Sequence, residues 1–416
     1  MSAESAKIAS CALNASDIHW GEENSVPDSE KLVNDGLRQL WPTRYKMLDG
    51  WRAIAALAVV CQHLGPGTQF NIGHIGVMAF FVISGYCIAA TSESCLRNGY
   101  GFKTYMRRRV RRIYPPYFFA ICFFVVTRIM KWRLEGTMQL PSSIATWLQN
   151  LTMTQWFSLI GHPVSYPAKN HTLLVAAFWS LNYEEQFYLV IGLLMVLAVH
   201  RGWPILWSVL GLMIPAFVWN LWHPSTCNGF FLEYWVQFSL GAIVFYRLCT
   251  LTKPLARQII DSGLLILAMG SGVVWVFERG PGFASQRSVY AEWFITGTFA
   301  LLLIAVRALD GSVARSPFGA GAIKLGTLTY SLYLVHQFNL RIVEHAAQFS
   351  FKVGVPHIFG IPIEICSLVL IALVFWYFCE RPFVNKPLSK SRNRAVTVPR
   401  MPELVTSPPM QRTNES

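Results

Sequence analysis

The sequence predicts an all-α polytopic membrane protein, a bundle of about ten transmembrane helices with both termini on the cytoplasmic side. Three observations lead there. Of 416 residues, 53% are hydrophobic and only 14% are charged, whereas a soluble domain carries about 25% charged residues. Apolar stretches long enough to cross a bilayer recur along most of the chain. The chain is basic, with a net charge of +13, and its Lys and Arg are concentrated in alternate connecting segments and the C-terminal tail, the asymmetry expected of cytoplasmic loops. Nucleic-acid binding is the weaker reading of that charge, because the positive residues sit between apolar runs.

The apolar stretches run, within a few residues, over 48–66, 74–91, 113–131, 172–198, 204–221, 230–248, 262–278, 290–307, 324–341 and 359–379. The first two are short and are joined by the Gly/Pro turn LGPGTQFNIG. With an inside N-terminus, the inside loops are 92–112, 199–203, 249–261 and 308–323, followed by the C-terminal tail. Together with the N-terminal segment and the span ends they hold most of the 35 Lys and Arg. Segment 132–171 is the longest outside region. It is rich in Trp, Phe and Leu and reads as an interfacial helix or a lid at the outer mouth. Residues 1–46 are polar, read as disordered and lack a signal-peptide core, so the first span itself must direct insertion. Residues 47–385 form the transmembrane domain, and 386–416 form a basic, Pro/Ser-rich disordered tail. Of the nine Cys, most fall in or beside apolar runs. None forms a C-x-x-C pair or a metal-ligand spacing, so neither a disulfide framework nor a metal is expected.

The first span, LDGWRAIAALAVVCQHLGPG, places Arg52 and His63 eleven residues apart. At 100° per residue that is three turns plus about 20°, so both side chains share one face, about 16 Å apart along the axis. An ionisable residue inside a span is costly unless it faces a polar interior. The pair therefore points to one polar cavity, entered near Arg52 and reaching His63. The plainer alternative is an Arg that snorkels to headgroups and a satisfied buried His. A neutral His at such a place can take a proton from a hydroxyl or accept the transferred group itself.

In the next stretch, GHIGVMAFFVISGY, Gly73, Gly76 and Gly85 read as helix-packing positions. KTYMRRRVRRIYPPYF carries five arginines within six residues. A positive-inside anchor and a phosphate clamp both fit. Arg108 and Arg112 are i,i+4 neighbours and Arg109 and Arg112 are i,i+3 neighbours, so they share a helix face, and guanidinium forks suit the phosphates of coenzyme A. FWSLNYEEQFYL brings Glu184 and Glu185 into a span, where carboxylates must find partners; Arg52 or His63 are candidates. Ser331 and His336 in LTYSLYLVHQ read as interhelical hydrogen-bonding groups. Glu380 and Arg381 in YFCERPF read as structural, before a proline that stops the helix.

Taken in order, these stretches resemble acyltransferase family 3, the integral-membrane O-acyltransferases. The matching runs are the Arg52/His63 pair, FFVISGY, RRVRRIYP, WSLNYEEQFYL, YSLYLVH and ERPF, spread over residues 48 to 383. The resemblance implies about ten spans and transfer of an acyl group, commonly acetyl, from cytoplasmic acyl-CoA to a hydroxyl of a sugar. The acceptor would be a cell-surface glycan or glycolipid, and the location the plasma (inner) membrane. It also implies that Arg52 and His63 are catalytic, that Glu184 and Glu185 form the glutamate region, and that Arg108, Arg109 and Arg112 bind the donor. One departure matters: where many members have Asp in a GVDLFF run, this chain has Met78 in GVMAFF, so no acid role carries over there. The expected form is the membrane-only one, without a C-terminal hydrolase-like domain. The rival is a transporter or flippase for a glycan or lipid-linked intermediate, against which stands the lack of an inverted-repeat signal. A non-catalytic scaffold would have no reason to align Arg52 with His63.

Overall fold

A computed structural model describes residues 45–65, 71–97, 99–136, 140–161, 164–165, 173–223, 226–227, 229–279 and 288–384. The readings of residues 1–44, of the Pro66-Gly67 turn and of the tail lie outside the described residues.

The described residues are almost entirely helical. In chain order the elements are α1 (Met47–Leu64), α2 (Ile72–Arg97), α3 (Phe102–Glu135), the short α4 (Ile144–Thr152) and α5 (Trp156–Gly161), then α6 (Trp179–Arg201), α7 (Ile205–Trp222), α8 (Trp235–Cys249), α9 (Pro254–Arg279) and α10 (Val289–Ala305). α11 (Asp310–Arg315), α12 (Pro317–Gly326), α13 (Thr329–Val335), α14 (Leu340–Lys352) and α15 (Gly360–Phe375) follow, and a π turn (Trp376–Glu380) joins the last to α16 (Arg381–Val384). A two-residue antiparallel bridge pairs Val164 with Cys227 and Ser165 with Thr226.

Among the described residues, seven helical segments are long and apolar enough to cross a membrane. Of the other three apolar stretches, two fold as shorter helices and the first, the 18-residue α1, is set apart by its polar residues. α8 has 15 residues, and every side chain from Trp235 to Tyr246 is buried. It is hydrophobic all round because it is surrounded by protein. The stretch 324–341 breaks at His336 into α13 and a 3₁₀ turn, Gln337–Asn339. α1 carries Asp49, Arg52 and His63 on an otherwise apolar helix. Its N-terminus is held from a distance: Asp310 accepts hydrogen bonds from the backbone N–H of Lys46 (3.2 Å) and Met47 (2.8 Å). That carboxylate satisfies orphan donors and complements the positive end of the helix dipole.

The centre of the bundle is built on glycine. A Cβ on Gly85 would lie 1.9 Å from the Phe238 carbonyl oxygen, and one on Gly241 would lie 1.8 Å from that of Val82. These reciprocal contacts set α2 directly against α8, backbone on backbone, the close approach that small residues allow in bilayers. A Cβ on Gly76 would likewise lie 2.5 Å from the Ala55 oxygen of α1. The packing role read for these glycines in α2 is the one the structure gives Gly76 and Gly85. Met78, in the GVMAFF run, is fully buried.

Proline does not end the helices here. α3 runs through Pro115 and Pro116, and the last span continues past Pro382 to Val384. The expectation that this proline stops the helix is therefore corrected. Pro382 lacks an N–H and crowds the preceding turn, and the ladder widens into the π turn just before it. In the region read as interfacial, α4 turns Ile144, Leu148 and Leu151 outward and buries Asn150. Asn150 accepts from the Leu174 N–H at 3.0 Å, so this short helix is tied to the segment leading into α6.

Gly241→Val places carbon inside a carbonyl contact with no room to yield. We expect it to destabilise the bundle by about 3 kcal/mol or more, read as loss of monodisperse protein after graded heating, whereas Gly211→Val, whose added Cβ meets nothing within 4 Å, leaves the profile close to wild type.

Candidate active site

A cavity of about 670 Å³ lies in the half of the bundle that holds the N-terminal end of α1, well within the range of small-molecule sites. Its wall includes five cationic side chains (Lys46, Arg52, Arg109, Arg112 and Arg381) and three carboxylates (Asp49, Glu184 and Glu380). The balance is positive and suits an anionic ligand. Apolar and aromatic side chains complete the wall, among them Phe80, Phe81, Tyr330, Tyr333 and Trp376.

Each charged group is placed by its helix. Arg52 leaves the first half of α1 and donates to Asp49 Oδ1 at 3.0 Å, and its other terminal nitrogen lies 3.2 Å from Cys87 Sγ on α2. Arg109 and Arg112, one turn apart on α3, both face the cavity. Arg109 donates to Thr91 Oγ1 at 2.8 Å and lies over the rings of Tyr105 and Tyr188. Its buried Nε has no partner among the described residues, an unused donor of the kind that marks a functional position. Arg108, about 100° round the helix, instead covers the Tyr100 ring at 4.9 Å and does not line the cavity.

The two glutamates of α6 separate in the same way. Glu184 faces the cavity and accepts from Ser84 Oγ (3.3 Å) and Tyr188 OH (2.5 Å). Glu185 turns away and accepts from Tyr114 OH. The sequence reads Glu380 and Arg381 as structural. The π turn and the helix past Pro382 bring both into the cavity wall, where Glu380 accepts from Ser331 Oγ at 2.5 Å and Arg381 covers the Trp376 and Tyr377 rings. Ser331 thus makes the interhelical bond expected of it.

His63 is elsewhere. It sits exposed at the far end of α1 and is not among the residues lining the cavity. The one-face geometry of α1 does not put Arg52 and His63 in one chamber: Arg52 lines the cavity and His63 does not, and the aromatic residues Phe80 and Tyr333 stand in its wall. Their rings lie 6.3 Å apart, and Tyr333 is held by Ser180 Oγ at 2.6 Å and by the Ala177 carbonyl. Behind this layer the Tyr333 ring meets His336 at 5.7 Å, and His336 meets His63 edge-to-face at 5.0 Å. His336 is fully buried.

A second polar cluster was not legible in the sequence. His74 Nε2 lies 2.9 Å from Glu292 Oε1, and Glu292 Oε2 accepts from Gln237 Nε2 at 3.1 Å. These residues come from α2, α10 and α8. No local spacing could have joined them. Among the described residues no group of three or more His, Cys, Asp or Glu could hold a metal ion.

Comparison with known proteins gives a consistent answer. The family model for the acyltransferase domain of this type (acyltransferase 3) matches residues 45–381. O-acetyltransferase OatA of Staphylococcus aureus is 26% identical over 365 residues, covering 84% of this chain and 59% of its own length. Exopolysaccharide production protein ExoZ of Rhizobium meliloti is 25% identical over 352 residues, covering 80% of this chain and 94% of its own. The chain thus spans about 59% of the length of the first of these relatives. No solved structure matches it significantly.

Glu380→Ala removes the acceptor of Ser331 and one of three carboxylates that balance five cations. We expect a loss of about 1–3 kcal/mol, measured as a lower midpoint of heat-induced aggregation in detergent. Glu380→Gln keeps an acceptor for Ser331 and falls between Ala and wild type.

Proposed function

The chain belongs to the acyltransferase 3 family, and on that premise we propose that it is a membrane-bound O-acyltransferase, transferring an acyl group, acetyl foremost, from cytoplasmic acyl-CoA to a hydroxyl of a cell-surface glycan or glycolipid. The observation that carries this reading is the net-positive cavity around Arg52, Arg109 and Arg112, with the unused buried Nε of Arg109. Coenzyme A is polyanionic, and guanidinium groups match phosphate oxygens in charge and geometry. The names of the two relatives, an O-acetyltransferase and an exopolysaccharide production protein, support acetyl transfer and a carbohydrate acceptor. The apolar helices support an integral membrane location, and in this reading acyl-CoA enters from the cytoplasm through a cavity mouth on the inner side of the plasma membrane.

In this reading Arg109 and Arg112 hold donor phosphates, while Arg108, turned to Tyr100, only anchors the helix. Arg52 is fixed by Asp49 and steadies the pantetheine arm or a phosphate. Glu184 is the glutamate that faces the donor; Glu185 supports Tyr114. The thioester points toward Phe80 and Tyr333. His63, beyond that layer, takes the proton of the acceptor hydroxyl. The hydroxyl oxygen bonds to the acyl carbon, the C–S bond breaks, and the proton passes to the departing thiolate.

The test is acyl transfer from radiolabelled acetyl-CoA in membranes of the native host expressing the full chain at matched levels. We expect base-labile label on a glycan or glycolipid, reduced at least 100-fold by His63→Ala or Arg52→Ala, on the order of a general-base contribution. Arg109→Ala and Arg112→Ala should raise the KM for acetyl-CoA about tenfold, the loss of roughly one charge-assisted hydrogen bond, while Arg108→Ala stays within about threefold on the same scale. Label that persists in His63→Ala membranes overturns the role of that histidine. Wild-type membranes that move a glycan without releasing CoA overturn the acyltransferase reading in favour of a transporter.

A further inference from the structure

One nucleophile in the donor cavity has no part in the reading above. Cys87 of α2 lines the cavity, is half-buried and forms no disulfide. Among the described residues no other cysteine lines it. Its Sγ accepts a hydrogen bond from Arg52 Nη2 at 3.2 Å. A thiol beside a guanidinium and open to a cavity has the electropositive, partly exposed surroundings in which cysteines react. The inner face of α2 gives its place along the donor path. Thr91 accepts from Arg109 Nη2 at 2.8 Å and bonds back to the Cys87 carbonyl at 2.7 Å. Ser84 donates to Glu184 at 3.3 Å, and Phe80 stands with them in the cavity wall. Phe80, Ser84 and Cys87, at i, i+4 and i+7, form one stripe of the helix. Along its axis Cys87 lies about 6 Å from Thr91 and about 10 Å from Phe80. The buried, unpartnered Nε of Arg109 independently marks the Thr91 end as the place for an anion. A donor with its phosphates there and its thioester toward Phe80 lays its pantetheine arm along Cys87. Its sulfur passes Cys87 on entry and again, as a thiol, on exit.

We propose that Cys87 is a covalent modification site for the donor's own thiol, closed by a mixed disulfide between Cys87 and coenzyme A. This rests on the reading of the cavity as the acyl-CoA site. The co-reactant is the disulfide of coenzyme A, the oxidised form of the thiol that each turnover releases. Cys87, as the thiolate, attacks one sulfur of that disulfide. The bond between Cys87 Sγ and that sulfur forms as the bond between the two coenzyme sulfurs breaks. Cys87 is oxidised. The second coenzyme is reduced and leaves as a thiolate, which takes up the proton that Cys87 gave up. The attached coenzyme occupies the donor path beside Arg52, and acyl transfer stops until a reducing thiol reverses the exchange. Contacts that hold the phosphates also hold the disulfide at Cys87, which raises its effective concentration there. Cys122 and Cys366 are exposed but do not line the cavity, and they gain no such advantage.

The test treats the purified full chain in detergent with CoA disulfide and maps the modified cysteines by peptide mass spectrometry, so that it needs no variant. We expect one coenzyme on Cys87, attached at least about tenfold faster than on Cys122 or Cys366 and released by dithiothreitol. Desulfo-CoA, which lacks the sulfur, should slow the attachment about tenfold when present at ten times its Kd, by mass action. Acyl transfer should fall in step with the fraction modified and return with dithiothreitol. Whatever activity Cys87→Ser retains should be insensitive to CoA disulfide, since its hydroxyl still accepts from Arg52 but forms no disulfide. Two further probes separate the failures, binding of radiolabelled acetyl-CoA and labelling with the small uncharged reagent methyl methanethiosulfonate. Acetyl-CoA that binds while Cys87 stays unmodified overturns the proposal and leaves the donor site standing. Cys87 that takes the small reagent, yet is neither modified by CoA disulfide nor protected by desulfo-CoA, overturns the reading of the cavity as the donor site and the proposal with it. Coenzyme spread evenly over Cys87, Cys122 and Cys366 overturns a directed site.

Discussion

The cost of holding charge away from water governs this bundle. An ionised side chain at membrane depth must meet a partner or a wet cavity, and the charged groups of the inner helices do both. Arg52 pairs with Asp49, Arg307 with Asp310, and Glu380 with Ser331. Those around Arg52 then gather on one cavity rather than scatter through the core. Five cations against three carboxylates is a composition that no apolar bundle would adopt for stability alone, since a well-packed apolar substitute is often at least as stable as a buried pair. The excess makes sense as a site waiting for an anion.

Glycine decides where that cavity can be. Gly85 and Gly241 let α2 and α8 touch through their backbones, and Gly326 does the same for the end of α12 against the Asp49 carbonyl, where a Cβ would come within 2.0 Å of the oxygen. The cavity is the space left beside this tightly closed centre, between α1, α2, α3, α6 and the final span. The same contact that presses α12 onto Asp49 positions the partner of Arg52, so helix packing and site electrostatics are linked at one residue.

The membrane class, the helical architecture and the family were legible in the sequence because they rest on composition and on motifs carried within single segments. The alignment of Arg52 with His63 follows from helix geometry, and the structure keeps them on one unbroken helix. What it could not supply was the aromatic layer between them, which requires knowing that Phe80 of α2 meets Tyr333 of α13. Rotation about single helices was also beyond reach. Arg108 and Arg109, like Glu184 and Glu185, are adjacent in sequence, yet only Arg109 and Glu184 face the cavity once neighbouring helices choose which side is inside. Glu380 was discounted because proline was read as a stop, yet the π turn carries the helix through. The His74–Glu292 contact joins residues 218 apart and leaves no local trace.

The aromatic layer has a chemical consequence for the proposed reaction. A thioester beside an imidazole base is open to hydrolysis whenever water can reach both. Here Tyr333 is pinned by Ser180 and by the Ala177 carbonyl, and it stands between the donor cavity and the His63–His336 pair. In the proposed reaction, rings at this place separate the acyl donor from water at the exposed His63, the protection expected of a site that excludes water until its substrate is in place. The bonds holding Tyr333 come from Ser180 at the start of α6, the helix that also carries Glu184, and from Ala177 in the turn just before it.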